Sequence, residues 1–337
     1  MLRLPPFIYL APATAAEAAQ MLAEHGPDAM LVAGGSDVLP NMKRRQRVPK
    51  VLISLRRIGE MTGISGDAEH GFRIGACATL AQIAGHAGIQ AAYPALAKAA
   101  DSAGTPPLRT TGTIGGNLCL DTRCNYYDQT FEWRQALGFC LKDGSDVCRV
   151  APGSPRCLAV SSCDTAPVLC SLDARVRLVG PAGERTLAVQ SLFGEDGINY
   201  LAKQPEEVLT EVLLPPPAGL RSAYWKLRRR ASVDFPVLGV AVALQSDDGV
   251  VRKARIVLGA VASHPLVAVE AEALLAGQQL SEELIDRAAE AAAKPAKPLD
   301  MTDLDYLYRK KMARVYVRRA LRELAGLPSG DEESESA

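Results

Sequence analysis

The sequence carries no charge excess of either sign: 38 Lys and Arg residues face 38 Asp and Glu, a formal net charge of +0. That balance argues against a nucleic-acid or anionic-membrane partner. No apolar run approaches the roughly 20 residues that a membrane span needs. The N-terminal stretch MLRLPPFIYLAP has adjacent prolines and no long apolar core, so no signal peptide is read there, and the chain is expected in the cytoplasm. There is no CxxC pair, no Walker loop, no GxGxxG, no internal repeat and no legible catalytic triad. With 337 residues, 48% hydrophobic and 23% charged, the chain is long enough for two or three globular domains.

Cysteine, by contrast, is concentrated. Of eight cysteines, seven lie between Cys119 and Cys170, and only Cys77 lies outside. A cytosolic chain of this size rarely depends on disulfides, so clustered cysteines point to metal or redox work. Four of them, Cys124, Cys140, Cys148 and Cys157, fall in TRCNYYDQTFEWRQALGFCLKDGSDVCRVAPGSPRCLAV (122–160), which has neither a helical nor an alternating apolar period. So long an irregular run is uncommon in a compact domain unless it has a function, and it is too rich in Cys and aromatics to read as disordered.

The remaining chain reads as mixed α and β. TAAEAAQMLAEHG predicts a helix with Thr14 and Glu17 as a capping box and Gly26 past its end. AMLVAGG (29–35) predicts a buried strand entering a tight turn, and VLISL (51–55) and FRIGA (72–76) predict further strands. TLAQIAGHAGI offers a second capping box, Thr79 and Gln82, and Pro94 suits the first turn of PALAKAADSAG. TAPVLCSLDA reads as a helix, and ARVRLVG and EEVLTEVLLP as strands; PPPAG then reads as a linker. Beyond it SAYWKLRRR, PVLGVAVALQS and VVRKARIVLGAVASH alternate as an antiparallel sheet would. Helical patterns follow at VAVEAEALLAG, SEELIDRAAEAAAK and DYLYRKKMARVYVRRALREL, and the tail SGDEESESA reads as disordered.

Two small-residue stretches are candidates for holding a ligand. AGGSD (33–37) ends a strand, and TTGTIGGN (110–117) combines hydroxyls, glycines and an Asn. Glycine lets backbone approach a ligand, and free N–H groups can cradle a phosphate. Two such loops without a P-loop lysine suggest two grips on one pyrophosphate, although each alone is also a common turn. Asp164, in SSCDTAP, is read either as acceptor for a ligand hydroxyl or as an ordinary helix N-cap. The four cysteines are separated by 15, 7 and 8 residues, which matches neither paired zinc-finger spacing nor a ferredoxin run. Arg123, Lys142, Arg149 and Arg156 lie within two residues of them and could offset thiolate charge. Cys77, Cys119, Cys163 and Cys170 are read as ordinary buried cysteines.

Taken in order, AGGSD, TTGTIGGN, CDTAPVL and YWKLRRRASVDFPVLGVAVAL resemble the FAD-binding medium subunits of the molybdenum hydroxylases, the xanthine dehydrogenase and carbon monoxide dehydrogenase family, over almost the whole chain. Most members pass directly from TIGGNL to an SDxAP stretch. The cysteine insertion, with NLCLDTRC and DFPVLGVA, resembles the β subunits of the 4-hydroxybenzoyl-CoA reductase branch; a periplasmic aldehyde oxidoreductase branch also carries an extra cluster, with a spacing that fits less well.

That resemblance implies an α+β fold: an FAD-binding α/β part in two subdomains (1–58 and 59–217, with an inserted loop about 119–160), a C-terminal antiparallel sheet with helices (218–328), and an acidic tail (329–337). It implies FAD on Leu31, Val32, Ala33, Gly34, Gly35, Ser36, Asp37 and Val38 and on Thr113, Ile114, Gly115, Gly116 and Asn117, a backbone contact at Ala103, and roles for Asp164 and Lys226. Read without the family, Lys226 is equally an exposed strand residue. It implies a [4Fe-4S] cluster on Cys124, Cys140, Cys148 and Cys157. Partners implied are a molybdenum-cofactor large subunit and a small subunit with two [2Fe-2S] clusters, in a dimer of heterotrimers, with ferredoxin as donor for reductive dehydroxylation to benzoyl-CoA. Rival readings are the FAD subunit of a xanthine or aldehyde dehydrogenase, and a zinc-stabilised scaffold with no enzymatic role. The basic helix near the C-terminus reads as an amphipathic surface helix, with a partner contact as the alternative.

Overall fold

The computed structural model describes residues 3–328, so the expected acidic tail lies outside the described residues. The first layer is a parallel sheet of β1 (Ile8–Leu10), β2 (Ala29–Val32) and β3 (Val51–Ser54) in the order β1-β3-β2. Helix Ala15–His25 covers it, burying Ala15, Ala18, Ala19 and Leu22 at helical spacing. Thr14 caps this helix by accepting the Glu17 N–H, but the expected box is incomplete: the Glu17 carboxylate takes the Ala13 N–H (2.7 Å) instead of that of Thr14. The Thr79–Gln82 box forms in full. β2 was expected to be buried; it is half-buried along its length because β3 takes the sheet centre and leaves β2 at the edge. Its carboxyl end therefore opens directly into the AGGSD loop, where parallel sheets typically receive ligands.

The second sheet is antiparallel: β4 (Ile64–Asp67), β5 (Gly71–Gly75), β6 (Arg175–Gly180), β7 (Gly183–Ala188) and β8 (Val208–Leu214), ordered β4-β5-β8-β6-β7. β4 and β7 escaped the sequence reading because both are mostly exposed edge strands with little apolar alternation. Helices Pro94–Ser102 and Thr165–Ser171 join the two sheets in one core around Ile53, Ile74, Leu96, Leu169 and Val212.

The third sheet, β9 (Arg221–Leu227), β10 (Leu238–Asp247), β11 (Val250–Gly259) and β12 (Leu266–Val267), is antiparallel, as the alternation predicts. The β10–β11 hairpin turns on Asp248 and Gly249, both with positive φ, which is the chemistry a two-residue turn requires. Helices Glu282–Ala293 and Tyr306–Ala325 seal a separate core through Ile285, Ala288, Ala313, Val317 and Leu321. The basic C-terminal helix is thus amphipathic, with one surprise: Arg309 is fully buried and donates to the carbonyls of Val237, Leu299 and Ala260. The molecule is a mixed α/β fold followed by a C-terminal antiparallel sheet with helices. Among the described residues no helix is long and apolar enough to cross a membrane.

The cysteine segment leaves this frame at one point. Arg123 and Val160 exchange backbone hydrogen bonds (2.8 and 2.9 Å), so the residues between them form a closed excursion. Ser161 continues that contact to Ala260 and Ala262, in the bend just past β11 of the C-terminal sheet. Inside the excursion the regular elements are only the short helix Phe131–Ala136 and a 3-10 turn at Leu141–Asp143, in keeping with the missing periodicity.

Candidate functional site: two glycine loops, a buried ion pair and four cysteines

The two small-residue stretches pack directly against each other. A Cβ on Gly34 would overlap the carbonyl oxygen of Thr111, so only glycine permits this approach. Leu31 and Val32 end the edge strand, and Ala33 to Val38 run half-buried, apart from exposed Ser36, into the helix Val38–Lys43. Among the described residues the N–H groups of Gly34, Gly35, Ser36 and Asp37 meet no protein acceptor, while Gly35 adopts a positive φ of 74°. A row of free donors on a turning backbone is an anion cradle. The second stretch differs from the expectation. The N–H groups of Ile114, Gly115 and Gly116 are already committed to Ala78, Ala76 and the Thr113 hydroxyl. Its short helix Ile114–Leu118 consumes the donors, so what it supplies is a close-packed wall, with Gly116 alone exposed. Asn117 turns inward, its Oδ1 accepting from the Thr165 N–H (3.2 Å), the Thr165 hydroxyl (2.7 Å) and the Cys163 thiol (3.0 Å).

Asp164 and Lys226, far apart in sequence, meet: Nζ lies 2.9 Å from Oδ1, and each side chain is 4% exposed. Asp164 does stand at the N-cap of the helix Thr165–Ser171, but its side chain makes no capping hydrogen bond, and Lys226 is not an exposed strand residue. Tyr224, on the same face of β9, donates to Asp164 (3.1 Å), and Lys226 also donates to the Ser102 carbonyl (2.9 Å), as does Arg228 (2.9 Å). Burial raises the Asp164 pKa and lowers that of Lys226, and each partner opposes the other's shift. β9 thus reaches from the C-terminal sheet to the helix end beside Ala103, which is itself buried. The N–H of Ala103 donates to Ala100, and its carbonyl accepts from Arg109.

The four cysteines of the excursion are all buried and none is in a disulfide. Cys124, Cys140 and Cys157 share a small cluster with Tyr127, Ala159, Val160 and Met301. The cysteines lie within electrostatic reach of one another: Cys124 feels Cys140 and Cys157, and Cys140 and Cys157 both feel Cys148. Backbone N–H groups aim at three of the sulfurs, from Tyr126 to Cys124, from Lys142 and Asp143 to Cys140, and from Ala159 to Cys157. Burial nonetheless pushes the Cys124 thiol up to about 12, so holding it as thiolate requires a cation. The basic neighbours act differently from the expectation. Arg123 pairs with Asp37 and Asp128, Arg149 donates to the carbonyls of Leu137, Gly138 and Phe139, and Arg156 pairs with Glu195. Lys142 reaches Asp121, Thr122 and the Gly197 carbonyl, and it alone among them favours a thiolate, that of Cys157. Carboxylates and carbonyls compete for these cations, and local sequence does not reveal the competitors. Among the described residues no three His, Cys, Asp or Glu side chains form a group that could hold a single metal ion. Of the cysteines read as structural, Cys77, Cys163 and Cys170 are buried and Cys119 is half-buried.

Residues 5–217 match the FAD binding domain in molybdopterin dehydrogenase, and residues 222–324 match the CO dehydrogenase flavoprotein C-terminal domain. The chain belongs to the FAD-binding medium subunits of the molybdenum hydroxylase family. It is 31% identical over 316 residues to the carbon monoxide dehydrogenase medium chain of Afipia carboxidovorans, covering 94% of this chain and 95% of that one. It is 32% identical over 268 residues to the aldehyde oxidoreductase FAD-binding subunit PaoB of Escherichia coli K12, covering 77% and 82%. The solved carbon monoxide dehydrogenase of Hydrogenophaga pseudoflava superposes with a TM-score of 0.78 at 31% identity, covering 95% of this chain and 97% of that one. An FAD-binding domain fits the cradle of free donors and the Gly34–Thr111 contact.

Sequence reasoning missed Tyr224, although it stands two residues before Lys226 and so shares its strand face. It also missed Arg47 and Asp121, an ion pair of 3.0 Å beneath the cysteine segment. Their pairing spans the chain and leaves no local pattern.

Proposed function

We propose that this chain is the FAD and [4Fe-4S] electron-relay subunit of a molybdenum enzyme of the 4-hydroxybenzoyl-CoA reductase class. The observation that carries the reading is the closed excursion from Arg123 to Val160, which gathers four buried cysteines with N–H groups aimed at three of their sulfurs. Thiolate ligation with N–H···S support is how iron–sulfur centres are held and tuned. Cys124, Cys140, Cys148 and Cys157 are the proposed ligands. FAD, when bound, supplies exchange between one- and two-electron carriers.

Gly34 to Asp37 offer their N–H groups to the diphosphate, and Leu31 to Ala33 and Val38 carry that loop. Thr113 to Asn117 form the wall that holds it in place. Asp164 and Lys226 lie at the junction with β9, where Asp164 can accept from a cofactor hydroxyl and Lys226 can donate to the flavin; Ala103 contributes backbone. Burial keeps both side chains unhydrated, so their pairing fixes their positions before a ligand arrives. The subunit is proposed to work in the cytoplasm beside a molybdenum-cofactor large subunit and a small subunit with two [2Fe-2S] clusters, as a dimer of heterotrimers reduced by ferredoxin. Its relatives' names, "medium chain" and "FAD-binding subunit", support a multi-subunit setting.

A second reading is favoured by the 32% identity to the aldehyde oxidoreductase subunit: the same centres would then pass electrons outward from an aldehyde- or xanthine-type oxidation. A zinc scaffold leaves the row of free donors at Gly34 to Asp37 without a role. The deciding measurement is iron, acid-labile sulfide, zinc and flavin per chain in protein purified without oxygen. About four iron, four sulfide and one FAD support the relay; zinc without flavin overturns it. Reduction of that protein by ferredoxin, set against oxidation by NAD or a quinone, then separates the two directions.

A further inference from the structure

We infer that Arg123 is a positioning residue that couples the flavin loop to the cysteine segment, by cancelling the charge of Asp37 beside the proposed diphosphate cradle. This rests on the reading that Gly34 to Asp37 receive the FAD diphosphate. Asp37 poses an electrostatic problem for that cradle. Its own N–H is one of the free donors, yet its side chain is an anion in a loop that must accept another anion. Arg123 resolves it. The guanidinium is 9% exposed and contacts Asp37 Oδ1 through Nη2 and Asp128 Oδ1 through Nη1 at 3.3 Å, while its Nε has no partner. The ring of Phe235 closes the other side, 4.5 Å from Cζ. Burial raises the Asp37 pKa, and Arg123 is the largest opposing influence.

The second half of the coupling lies in Asp128. Its Oδ2 accepts the N–H of Cys124 (3.1 Å), and its backbone N–H donates to the Cys124 carbonyl (2.8 Å). The carboxylate that seats Arg123 is therefore the one that braces the first proposed cluster ligand. Arg123 itself sits in the bridge with Val160 that closes the excursion. Asn41 also donates to Asp37 Oδ2 (2.9 Å) but carries no charge, and the other charged groups that act on Asp37, Asp121 and Asp128, are both repulsive. When the excursion is ordered around its cysteines, Arg123 faces Asp37 and the cradle accepts a diphosphate. When it loosens, the cradle presents an uncompensated carboxylate. Because linkage is reciprocal, FAD should in turn favour the ordered segment.

The test is the FAD dissociation constant of the full chain, measured by flavin fluorescence quenching. Arg123→Gln is expected to weaken FAD at least about tenfold, the scale of one close charge pair near a protein surface. Asp37→Asn alone should bind FAD at least as tightly as the parent, and the Asp37→Asn/Arg123→Gln double variant should recover most of the loss. Stripping iron from the parent should weaken FAD, while stripping it from Asp37→Asn should not. An Arg123→Gln variant as tight as the parent overturns the inference. So does a double variant no better than Arg123→Gln, which is the result a merely structural arginine would produce. If Arg123→Gln fails to fold, Asp37→Asn still decides: a loss beyond tenfold, or a retained response to iron removal, overturns the coupling. A parent chain that binds no FAD sinks the flavin reading itself, and one that holds no iron sinks the cluster reading; neither result is confused with failure of the Arg123 arms.

Discussion

Leu258 and Cys157 are both buried, but in very different company. Leu258 lies in the C-terminal core, among Val240, Val242, Ile256, Ile285 and Leu321, where a sheet face meets helices. Cys157 lies in a thin cluster whose seven buried members include three cysteines. Around that cluster polar contacts do the holding: Arg134 pairs with Asp143 and donates to the Arg44 carbonyl (3.0 Å), and Lys142 meets Asp121 (2.6 Å) and Thr122 (2.5 Å). Gln46 donates to the Tyr127 carbonyl (2.6 Å). An apolar core tolerates the loss of any one polar contact, whereas a network of buried charges fails when one partner goes. The difference teaches that the cysteine segment rests mainly on buried charges, while the C-terminal sheet rests mainly on apolar packing, with the buried Arg309 as an added tie.

The largest expected effect tests the apolar side. Leu258→Ala should remove roughly 3 kcal/mol of global stability, read by chemical denaturation, without changing iron per folded chain. Iron loss in step with stability would mean that the two regions do not fail separately. Arg134→Met strikes the polar side. It leaves Asp143 without its partner and should cost about 2 kcal/mol, felt as faster amide exchange across 126–147 while β10 and β11 stay protected. Equal loosening in both places would break the comparison. Gly34→Ala should leave the fold intact and weaken FAD by about tenfold or more, because the added Cβ displaces Thr111 and turns the cradle. Tight FAD binding in that variant would remove the diphosphate from this loop.

The smallest effect is that of pH. Burial works against the charge of Asp121, but Lys142 and Arg47 more than offset it and hold its pKa below the ordinary 3.8. Such a carboxylate stabilises the folded chain fully above that ordinary value, and the contribution disappears as pH falls through the folded value. Asp37, with its pKa raised, has the opposite sign and softens the loss. Local exchange in the cysteine segment should therefore rise below about pH 3.8 in the parent and lose that step in Asp121→Asn, while the C-terminal sheet shows none of it.

Much of the frame was legible because it follows from local repetition. The Thr14 and Thr79 caps and the alternation of β9 to β11 each need only a few neighbouring residues. The family series from AGGSD to DFPVLGVA was legible for the same reason. β7 was not, because an exposed edge strand needs no apolar rhythm to be held by β6.

By itself, then, the sequence determined the longer helices, the central strands, the two glycine stretches and the presence of four cysteines in an aperiodic run, while short helices such as Val38–Lys43 and Phe131–Ala136 left no pattern to read. Only the tertiary structure decided which charges meet. Asp164 and Lys226, Arg123 and Asp37, and Arg47 and Asp121 are each separated by more than sixty residues, and each pair forms because a carboxylate taken largely out of water must find a cation or donors in the fold around it. Periodicity is a property of neighbours along the chain, whereas charge pairing in a dry interior is a property of neighbours in space.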